Sequence, residues 1–337
     1  MAGDCRRPPP RWQSSTGSTK EHHLHGRVTE GDPVTIQVPH SRWADLDGPT
    51  HYVEWSGPHD HTFVLVHGLG GSLLSWLAVA PGLARRGRVV ALDLAGFGRT
   101  PRAGRRSRLS DNRALLGRFL DEVVGDGPVV LCGNSMGGGI SLLQAALEPD
   151  TVRALVLSNS VFPWVWGAYP APIVMFGFGL YQLPRVGEWV TRQRLSRLEA
   201  ERAVRLGLRI LAADVDQIDP ELVRLHVDQF LRHRTDDDAG PAFLESARSL
   251  MALGRRRAAG RWVLDAVRCP VLVVHGREDR LVPVRYAESA TRGHAYWEMR
   301  VLPKVGHVPQ MEAPDRWLAA VEQWMDQRVE PAGPDAS

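Results

Sequence analysis

Short apolar runs recur along the chain, and stretches with helical spacing of apolar residues separate most of them. Each run is rich in β-branched residues and ends at a small or polar residue, which is typical of buried parallel strands. We predict such strands at Thr62–Gly68, Arg88–Gly96, Pro128–Gly133, Arg153–Asn159, Cys269–Gly276 and Tyr296–Pro303. Two shorter strands within Ser41–Trp55 are predicted to form a hairpin around Asp47-Gly48. This alternation predicts an α/β fold, a mostly parallel sheet with helices on both faces.

The alternation breaks over residues 161–240, which we predict to form a helical cap inserted into the α/β core. The segment opens with 24 uncharged residues, Val161–Pro184, and continues as amphipathic helical stretches. Four prolines in the uncharged run argue against a transmembrane helix, because they would leave backbone groups unsatisfied in lipid. A cap over the carboxyl edge of the sheet fits better, and peripheral contact of this cap with a membrane surface is left open.

Composition defines the remaining segments. Residues 1–37 are rich in proline, serine, glycine and charge and lack the apolar stretch of a signal peptide, which predicts a disordered extension and a cytoplasmic protein. The core then covers 38–160 and 241–329, followed by a flexible tail at 330–337. A net charge of +3 indicates no nucleic-acid partner, and three cysteines are too few for a disulfide framework. We predict no cofactor and no metal, and His22–His25 are interpreted as a solvated cluster.

A serine between two glycines stands where one predicted strand ends and a helical pattern begins. In "VVLCGNSMGGGISLL", Ser135 lies on the turn between Gly133 and Gly137. Glycines permit so tight a turn, and the serine hydroxyl is then exposed beside the free N–H groups of a helix N-terminus. The arrangement suits a nucleophile that works next to an oxyanion-binding site. The same sequence is also consistent with a glycine-rich strand–helix turn that has no catalytic function.

Other candidates for catalysis follow other predicted strands. The glycine-rich loop His67–Gly71 can bring backbone N–H groups close to that of Met136 and complete an oxyanion hole. Asp279 follows a later strand, with Glu278 as a competing carboxylate, and His307 follows the last strand. Acyl transfer needs these residue types: a hydroxyl that attacks, an imidazole that takes and returns its proton, and a carboxylate that orients the imidazole.

These motifs resemble those of the α/β-hydrolase superfamily, and the resemblance extends over residues 38–329. The matching segments are "HGLGG", "DLAGFGRT", "GNSMGG", "GREDRLVP" and "GHVPQMEAPD", in this order along the chain. The resemblance implies an α/β-hydrolase fold with Ser135 as the nucleophile, Asp279 as the acid and His307 as the base. It also implies that Leu69 and Met136 supply the N–H groups of the oxyanion hole.

Several other polar residues at strand ends are interpreted as structural. His67 and His275 precede glycines, and Asp93 is expected to anchor its own loop. Asn159 stands where some relatives carry the acid, but an amide cannot act as that carboxylate. Four arginines could bind an anionic substrate, although a solvated loop is the preferred interpretation: Arg102, Arg105, Arg106 and Arg108.

The resemblance implies a hydrolase and leaves its reaction open. A serine on the turn Gly133–Gly137, called the nucleophile elbow below, is typical of carboxylic ester hydrolases. The apolar cap favours a small substrate with an apolar acyl group. Trp164, Phe176 and Phe178 are the predicted pocket residues. Carbon–carbon bond hydrolases of ring-cleavage products share "GNSMGG" and Gln310, but Met311 stands where they usually carry a tryptophan. A binding protein without catalysis is a third alternative, which the complete serine, acid and histidine set disfavours.

Overall fold

A computed structural model describes residues 36–329 except 59, 126, 164–171, 197–198 and 254–256. These residues form an α/β-hydrolase fold around one eight-stranded sheet. Each predicted strand is present. The central strands β3, β5 and β7 carry no acidic or basic residue apart from His275 and are rich in β-branched residues, which fit the buried interior of a sheet. The strands are β1 (Arg42–Asp45), β2 (Pro49–Trp55), β3 (Thr62–Val66), β4 (Arg88–Leu92), β5 (Val129–Asn134), β6 (Val152–Ser158), β7 (Val271–Gly276) and β8 (Trp297–Leu302).

The strand order is β1-β2-β4-β3-β5-β6-β7-β8. The β1–β2 hairpin and the β2–β4 pair are antiparallel, and the other neighbouring strands are parallel. The hairpin turns at Asp47 and Gly48, whose φ angles of 56° and 127° are of the kind such turns require. The carboxyl ends of β3 and of β5 to β8 therefore lie along one edge of the sheet. The loops that carry the predicted site residues all leave from this edge.

Helices cover both faces of the sheet. A 3-10 turn at Leu73–Trp76 follows β3, and a π-helical turn at Leu120–Val124 extends α2. The helices of the described residues are α1 (Ala80–Leu83), α2 (Leu109–Phe119), α3 (Met136–Leu147), α4 (Pro172–Gln182), α5 (Val186–Ser196), α6 (Ala200–Leu211), α7 (Pro220–His233), α8 (Ala239–Leu253), α9 (Arg257–Ala266), α10 (Val284–Thr291), α11 (Pro309–Glu312) and α12 (Pro314–Arg328).

The sheet separates two apolar cores. Alternate residues of β3 point to opposite faces, so Val64 packs with residues of α2, α3 and α9, whereas Leu65 packs with the other core. That second core is built around Trp76, Trp317 and Trp324, each fully buried. Because helices shield each face, the central strands can be apolar on both sides.

The chain between β6 and β7 contains α4 to α9. Helices α6 and α7 pack against each other, and their buried side chains Leu208 and Leu222 join the core around Trp76. Helices α4 and α5 pack on each other and on α8. Large apolar side chains are exposed on these two helices and in the turn between them: Met175, Phe176, Leu183, Val186 and Trp189. None of the helices that the structure describes has the length and apolar character needed to cross a bilayer. The boundaries of the cap at 161 and 240, and its contact with a membrane, stay predictions.

Some predictions concern residues outside the described part of the chain. These are the N-terminal extension with His22–His25, the tail after residue 329, and Trp164. Two cysteines are described: Cys132 is fully buried in β5, and Cys269 is half-buried. Burial raises the pKa of the Cys132 thiol, and it raises the pKa of Cys269 to about 12. The burial and raised pKa of Cys132 are typical of a structural, unreactive thiol.

Candidate active site

Ser135 occupies a strained turn between β5 and α3. Its φ of 52° and ψ of −115° lie where residues with a side chain are rarely found, a conformation that costs on the order of 1–3 kcal/mol. The flanking glycines are required, because a Cβ at Gly137 would lie 2.2 Å from the carbonyl oxygen of Val66. A Cβ at Gly133 would lie 2.6 Å from the carbonyl oxygen of Gly137. The turn places Ser135 at the N-terminus of α3, with its backbone N–H bonded to the carbonyl of Ser158 at 3.0 Å.

His307 and Asp279 form a hydrogen-bonded pair at the same edge of the sheet. Nδ1 of His307 donates to Oδ2 of Asp279 at 2.7 Å, and the two residues are only 3% and 7% exposed. The bond assigns the proton of the neutral ring to Nδ1. Nε2 makes no hydrogen bond with a described residue, so it can accept a proton.

Hydrogen bonds hold both oxygens of the Asp279 carboxylate. Oδ1 accepts from the backbone N–H groups of Leu281 at 2.8 Å and Val282 at 3.0 Å, and Oδ2 also accepts from Asn159 at 2.6 Å. Burial by itself would raise the pKa of Asp279, but His307, His275 and Asn159 together hold it below the ordinary value of 3.8. Asp279 is therefore ionised at neutral pH and can stabilise a positive charge on His307.

The competing carboxylate lies elsewhere. Glu278 is exposed, and its side chain accepts a hydrogen bond from the backbone N–H of Val305 at 3.0 Å. His275 is fully buried and donates from Nε2 to the carbonyl of Val282 at 2.8 Å. Burial lowers its pKa and keeps the ring neutral. Of the two candidate acids, the geometry therefore pairs Asp279 with His307.

The loop after β3 lies beside the elbow. A Cβ added at Gly68 would lie 3.2 Å from the Cβ of Ser135. The next residue, Leu69, is half-buried, and Met136 is fully buried at the start of α3. Neither residue donates its backbone N–H to a described residue. Both N–H groups are thus free of described partners, and their role in an oxyanion hole stays a prediction.

Two residues interpreted as structural do shape this loop. His67 donates from Nδ1 to the carbonyl of Gly68 at 2.8 Å, and burial lowers its pKa, so the ring stays neutral. The Asp93 carboxylate accepts from the backbone N–H groups of Leu73 and Arg99, each at 2.9 Å. Asp93 therefore anchors its own loop, as predicted, and also fixes the segment that follows the glycine-rich loop.

Two asparagines support the His307–Asp279 pair, a role that the sequence analysis did not assign. Asn159 donates from Nδ2 to Asp279 and, at 3.1 Å, to the carbonyl of Gly306. Asn134 donates from Nδ2 to the carbonyl of His307 at 3.2 Å. Both asparagines stand at the carboxyl ends of strands, and this position is the feature of the sequence that could have indicated their supporting role. An asparagine cannot act as the catalytic carboxylate, but its amide can donate a hydrogen bond to that carboxylate.

Glu312 is a second residue that sequence reasoning missed. It is 4% exposed in α11, and its two oxygens accept from the backbone N–H groups of Gly306 at 2.7 Å and Asp214 at 2.8 Å. The backbone N–H of His307 donates to the carbonyl of Leu211, at the end of α6. Glu312 thus fastens the loop that carries His307 to the chain that follows α6.

Replacing Glu312 by alanine should lower the free energy of unfolding by about 2–5 kcal/mol, because two buried N–H groups lose their acceptors. Thermal denaturation measures the loss, and Glu278→Ala, which removes one exposed acceptor, should cost about 1 kcal/mol or less. Burial raises the pKa of Glu312 above 4.5, so the folded state keeps this proton to higher pH than the unfolded chain. The stability contribution of Glu312 therefore declines as pH rises from 4.5 through the raised pKa, and the alanine variant should lack this decline. Equal losses in the two variants would contradict the assignment.

An aromatic cavity of about 100 Å³ adjoins the glycine-rich loop. Two of its rings, Tyr181 and Phe243, contact each other edge to face with centroids 5.2 Å apart. Tyr181 makes the same kind of contact, at 6.1 Å, with Phe178, which does not line the cavity. Phe176, in contrast, is 65% exposed on α4. The roles of Phe176 and Phe178 in binding substrate stay predictions. The cavity is lined by Gly70, Gly96, Phe97, Tyr181, Thr191, Phe230, His233, Ala239 and Phe243.

Helix α7 is fixed directly onto this region. The buried Gln229 accepts a hydrogen bond from the hydroxyl of Ser72, which follows the glycine-rich loop, at 2.5 Å. His233 donates from Nε2 to the carbonyl of Gly98 at 2.9 Å. These bonds join residues more than 130 positions apart in the chain, and periodicity cannot reveal such pairs. They place one wall of the cavity against the loop that holds Leu69.

The fold and this arrangement are those of a known class. The chain belongs to the α/β hydrolase fold family, whose family model matches residues 61–314. The match includes the elbow, the glycine-rich loop and the His307 loop.

Named relatives and solved structures agree with this membership. The chain is 30% identical over 300 residues to the dihydrolipoyllysine-residue acetyltransferase component of the acetoin cleaving system of Pseudomonas putida, covering 86% of this chain and 70% of that protein. It is 28% identical over 285 residues to 2-hydroxymuconate semialdehyde hydrolase of Pseudomonas sp. (strain CF600), covering 78% and 86%. The fold is similar to that of a thermophilic esterase from Thermogutta terrifontis, with a TM-score of 0.64, 21% identity, and coverage of 86% and 98%. A meta-cleavage product hydrolase from Pseudomonas fluorescens IP01 also has a TM-score of 0.64, with 20% identity and coverage of 83% and 94%.

Proposed function

We propose that this α/β hydrolase cleaves carboxylic esters with an apolar acyl group through an acyl-enzyme formed on Ser135. The observation that carries the proposal is the 2.7 Å hydrogen bond from His307 to Asp279, made at the sheet edge where Ser135 stands on its strained turn. Nucleophile, base and acid thus leave from the ends of three parallel strands. Burial of the acid and the base keeps bulk water from weakening their interaction.

The mechanism follows from the protonation states. Nε2 of His307 takes the proton of the Ser135 hydroxyl while Oγ attacks the ester carbonyl carbon. The ionised Asp279 stabilises the imidazolium that forms, and the N–H groups of Leu69 and Met136 donate to the oxyanion. Each such donor contributes on the order of 10²–10³-fold to the rate. His307 then protonates the departing alcohol, and water attacks the acyl-enzyme by the same route and releases the acid.

The aromatic cavity supports a short acyl group. A volume of about 100 Å³ lies well below the roughly 300–1,000 Å³ of pockets that hold large ligands. Its walls are mostly rings, which favour apolar contact over binding of a charged acyl group. Gly70 joins this cavity to the proposed oxyanion hole.

A second candidate reaction is hydrolysis of the carbon–carbon bond of a ring-cleavage product. It is supported by the similarity to 2-hydroxymuconate semialdehyde hydrolase and by Gln310, three residues after His307. The Gln310 side chain is fully buried, and neither amide atom bonds a described residue. Met311 remains the departure from those enzymes, and it keeps ester hydrolysis as the first candidate.

The two reactions are separated by assaying them side by side. p-Nitrophenyl esters from acetate to octanoate are compared with a dienol ring-cleavage product at equal enzyme concentration. We expect the larger kcat/KM with a short-chain ester. Turnover of the dienol product at a kcat/KM above that of every ester would overturn the ester proposal. Absence of turnover on both, with retained binding, would indicate a binding protein.

Phe243→Ala should shift the acyl preference toward longer chains, because it removes a ring from the wall of the cavity. Each buried methylene contributes about 0.8 kcal/mol, so the kcat/KM ratio of octanoate to acetate should rise by roughly tenfold. Tyr296→Ala is the control, since it removes an exposed ring that precedes β8, at the end of the strand opposite the His307 loop, and it should leave the ratio unchanged. The cavity is not the acyl site if both variants shift the ratio equally, or if neither does.

A further inference from the structure

One of the four arginines in the loop after β4 is held by the fold. Arg105 is held by hydrogen bonds to the carbonyls of Pro49 and Pro101, each at 2.8 Å, and to the hydroxyl of Thr50 at 2.9 Å. Further bonds reach other backbone carbonyls of the β1–β2 turn. Its guanidinium is therefore occupied by the fold, and the solvated interpretation is wrong for this residue.

The three other arginines of this loop converge on one carboxylate of α8. Arg102 bonds Oε2 of Glu245 at 2.8 Å, and the same oxygen accepts the backbone N–H of Ser107 at 3.0 Å. Arg106 and Arg108 approach Oε1 at 3.5 Å and 3.3 Å. A single carboxylate thus faces three guanidinium groups, and two positive charges are left without a carboxylate of their own among the described residues.

Arg106 and Arg108 retain unused hydrogen-bond donors. Both contacts to Glu245 are long ion pairs, and neither side chain donates a hydrogen bond to a described residue. Their side chains are 62% and 50% exposed. A guanidinium offers up to five N–H donors in a plane that matches carboxylate and phosphate oxygens. Two such groups side by side at a half-exposed position are suited to an oxyanion from solution.

A cleft opens beside this cluster, between α8, α5 and the arginine loop. Its volume is about 540 Å³, which lies in the usual range for a small-molecule pocket. Arg102, Arg108 and Glu245 line one part, and Pro241, Leu244 and Ala252 supply apolar walls. The remaining charged residues of the lining, Arg248 and Glu188, are bonded to each other at 3.0 Å. The cleft thus combines excess positive charge with apolar surface.

We propose that this cleft binds the anionic head group, carboxylate or phosphate ester, of a small amphiphilic molecule. Arg108, which lines the cleft, would hold the head group together with Arg106, which lies outside the lining but contacts the same oxygen of Glu245. Leu244 and Ala252 would contact the apolar part. The cleft is distinct from the aromatic cavity, although the two meet at α8, where Phe243 lines the cavity and Leu244 lines the cleft. The site does not depend on the proposed esterase activity, because binding is measured without turnover.

The test measures binding by titration calorimetry at low salt, using decyl phosphate, decanoate and inorganic phosphate. The double variant Arg106→Gln with Arg108→Gln should bind decyl phosphate and decanoate roughly tenfold or more weakly than the wild type, since hydrogen bonds to charged groups are lost. The control is Arg205→Gln with Arg224→Gln, which removes the same charge from α6 and α7, where each arginine is paired on its own helix. This control should bind like the wild type.

Comparing inorganic phosphate with decyl phosphate shows whether the cleft recognises a free anion or an anionic group that carries an apolar chain. We expect decyl phosphate to bind at least tenfold more tightly than inorganic phosphate, because its chain covers apolar surface. Equal affinity of the two would overturn the assignment to an amphiphile. Vesicles of anionic lipid are a further arm, and binding to vesicles without binding to monomeric decyl phosphate would overturn the small-molecule site.

Glu245→Gln gives a result that a purely structural cluster does not predict. The amide removes the competing negative charge but can still accept the N–H of Ser107. Affinity for decyl phosphate should therefore rise by roughly threefold or more, while the melting temperature falls or stays constant. Lower or unchanged affinity in this variant would overturn the proposal, as would equal binding by the cleft double variant and its control.

Discussion

Replacing Ser135 by alanine should lower kcat/KM for ester hydrolysis by roughly 10⁴-fold or more, because the acyl-enzyme cannot form without the hydroxyl. The fold should remain intact, since the hydroxyl bonds no described residue and alanine carries the same Cβ on the strained turn. Ser141→Ala is the matched control: Ser141 lies six residues further along α3, and its hydroxyl bonds the carbonyl of Gly137. That variant should keep most of the wild-type rate.

Covalent labelling tests the same residue independently of any substrate. A fluorophosphonate should modify the wild type and the Ser141 variant at Ser135 and should leave the Ser135 variant unmodified, as read by intact-protein mass spectrometry. If Ser135→Ala retains more than about one per cent of the wild-type rate, Ser135 is not the nucleophile.

Asp279→Asn should lower kcat by roughly 10³–10⁴-fold with little change in KM. The carboxylate accepts hydrogen bonds from Leu281, Val282, Asn159 and His307, whereas an asparagine has a single acceptor oxygen. With its oxygen held by the two backbone N–H groups, the amide would donate to Nδ1 of His307. The proton of the neutral ring would then sit on Nε2, which could no longer accept the proton of Ser135.

The neighbouring acid supplies the control for this substitution. Glu278→Gln makes the same chemical change one residue away, on a side chain that bonds the backbone of Val305, and it should keep the rate within about threefold of the wild type. Kinetics on a short-chain ester and melting temperatures are measured for both variants. A larger loss in the Glu278 variant would reverse the assignment of the acid.

The positions of the strands, and the sheet edge at which the candidate site lies, were predictable because they depend on the residues of each strand and its immediate neighbours in sequence. Runs such as that of β5 are too apolar for a surface position and too short for a buried helix, so their type and nearly their ends follow from the residues. The rule that function gathers at the carboxyl ends of parallel strands then directs attention to Ser135, Asp279 and His307. The choice between Asp279 and Glu278 depended on the resemblance, because two adjacent carboxylates have the same local pattern.

The environment of the site could not be predicted, because it depends on contacts between distant residues. The helical period shows that α6 and α7 each bury one face, but it does not show what that face packs on. It could not show that Leu208 and Leu222 pack into the core around Trp76. The solvated interpretation of Arg105 was wrong for a similar reason. Most of its hydrogen-bond partners are backbone carbonyls, and every residue has one, so the sequence does not show which carbonyls an arginine will bond.

The attachment of α6 has a consequence for access to the site. The loop of His307 bonds the end of α6, and α7 bonds the glycine-rich loop through Gln229. Displacing either helix would therefore disturb the arrangement of Ser135, Asp279 and His307 and open part of the core, so we expect a free-energy cost close to that of global unfolding. Helices α4 and α5 rest mainly on α8 and each other, so they can separate at much lower cost. We therefore expect α4 and α5 to open separately from α6 and α7, so that natural or engineered change in α4 and α5 can alter substrate entry while Ser135, Asp279 and His307 keep their positions.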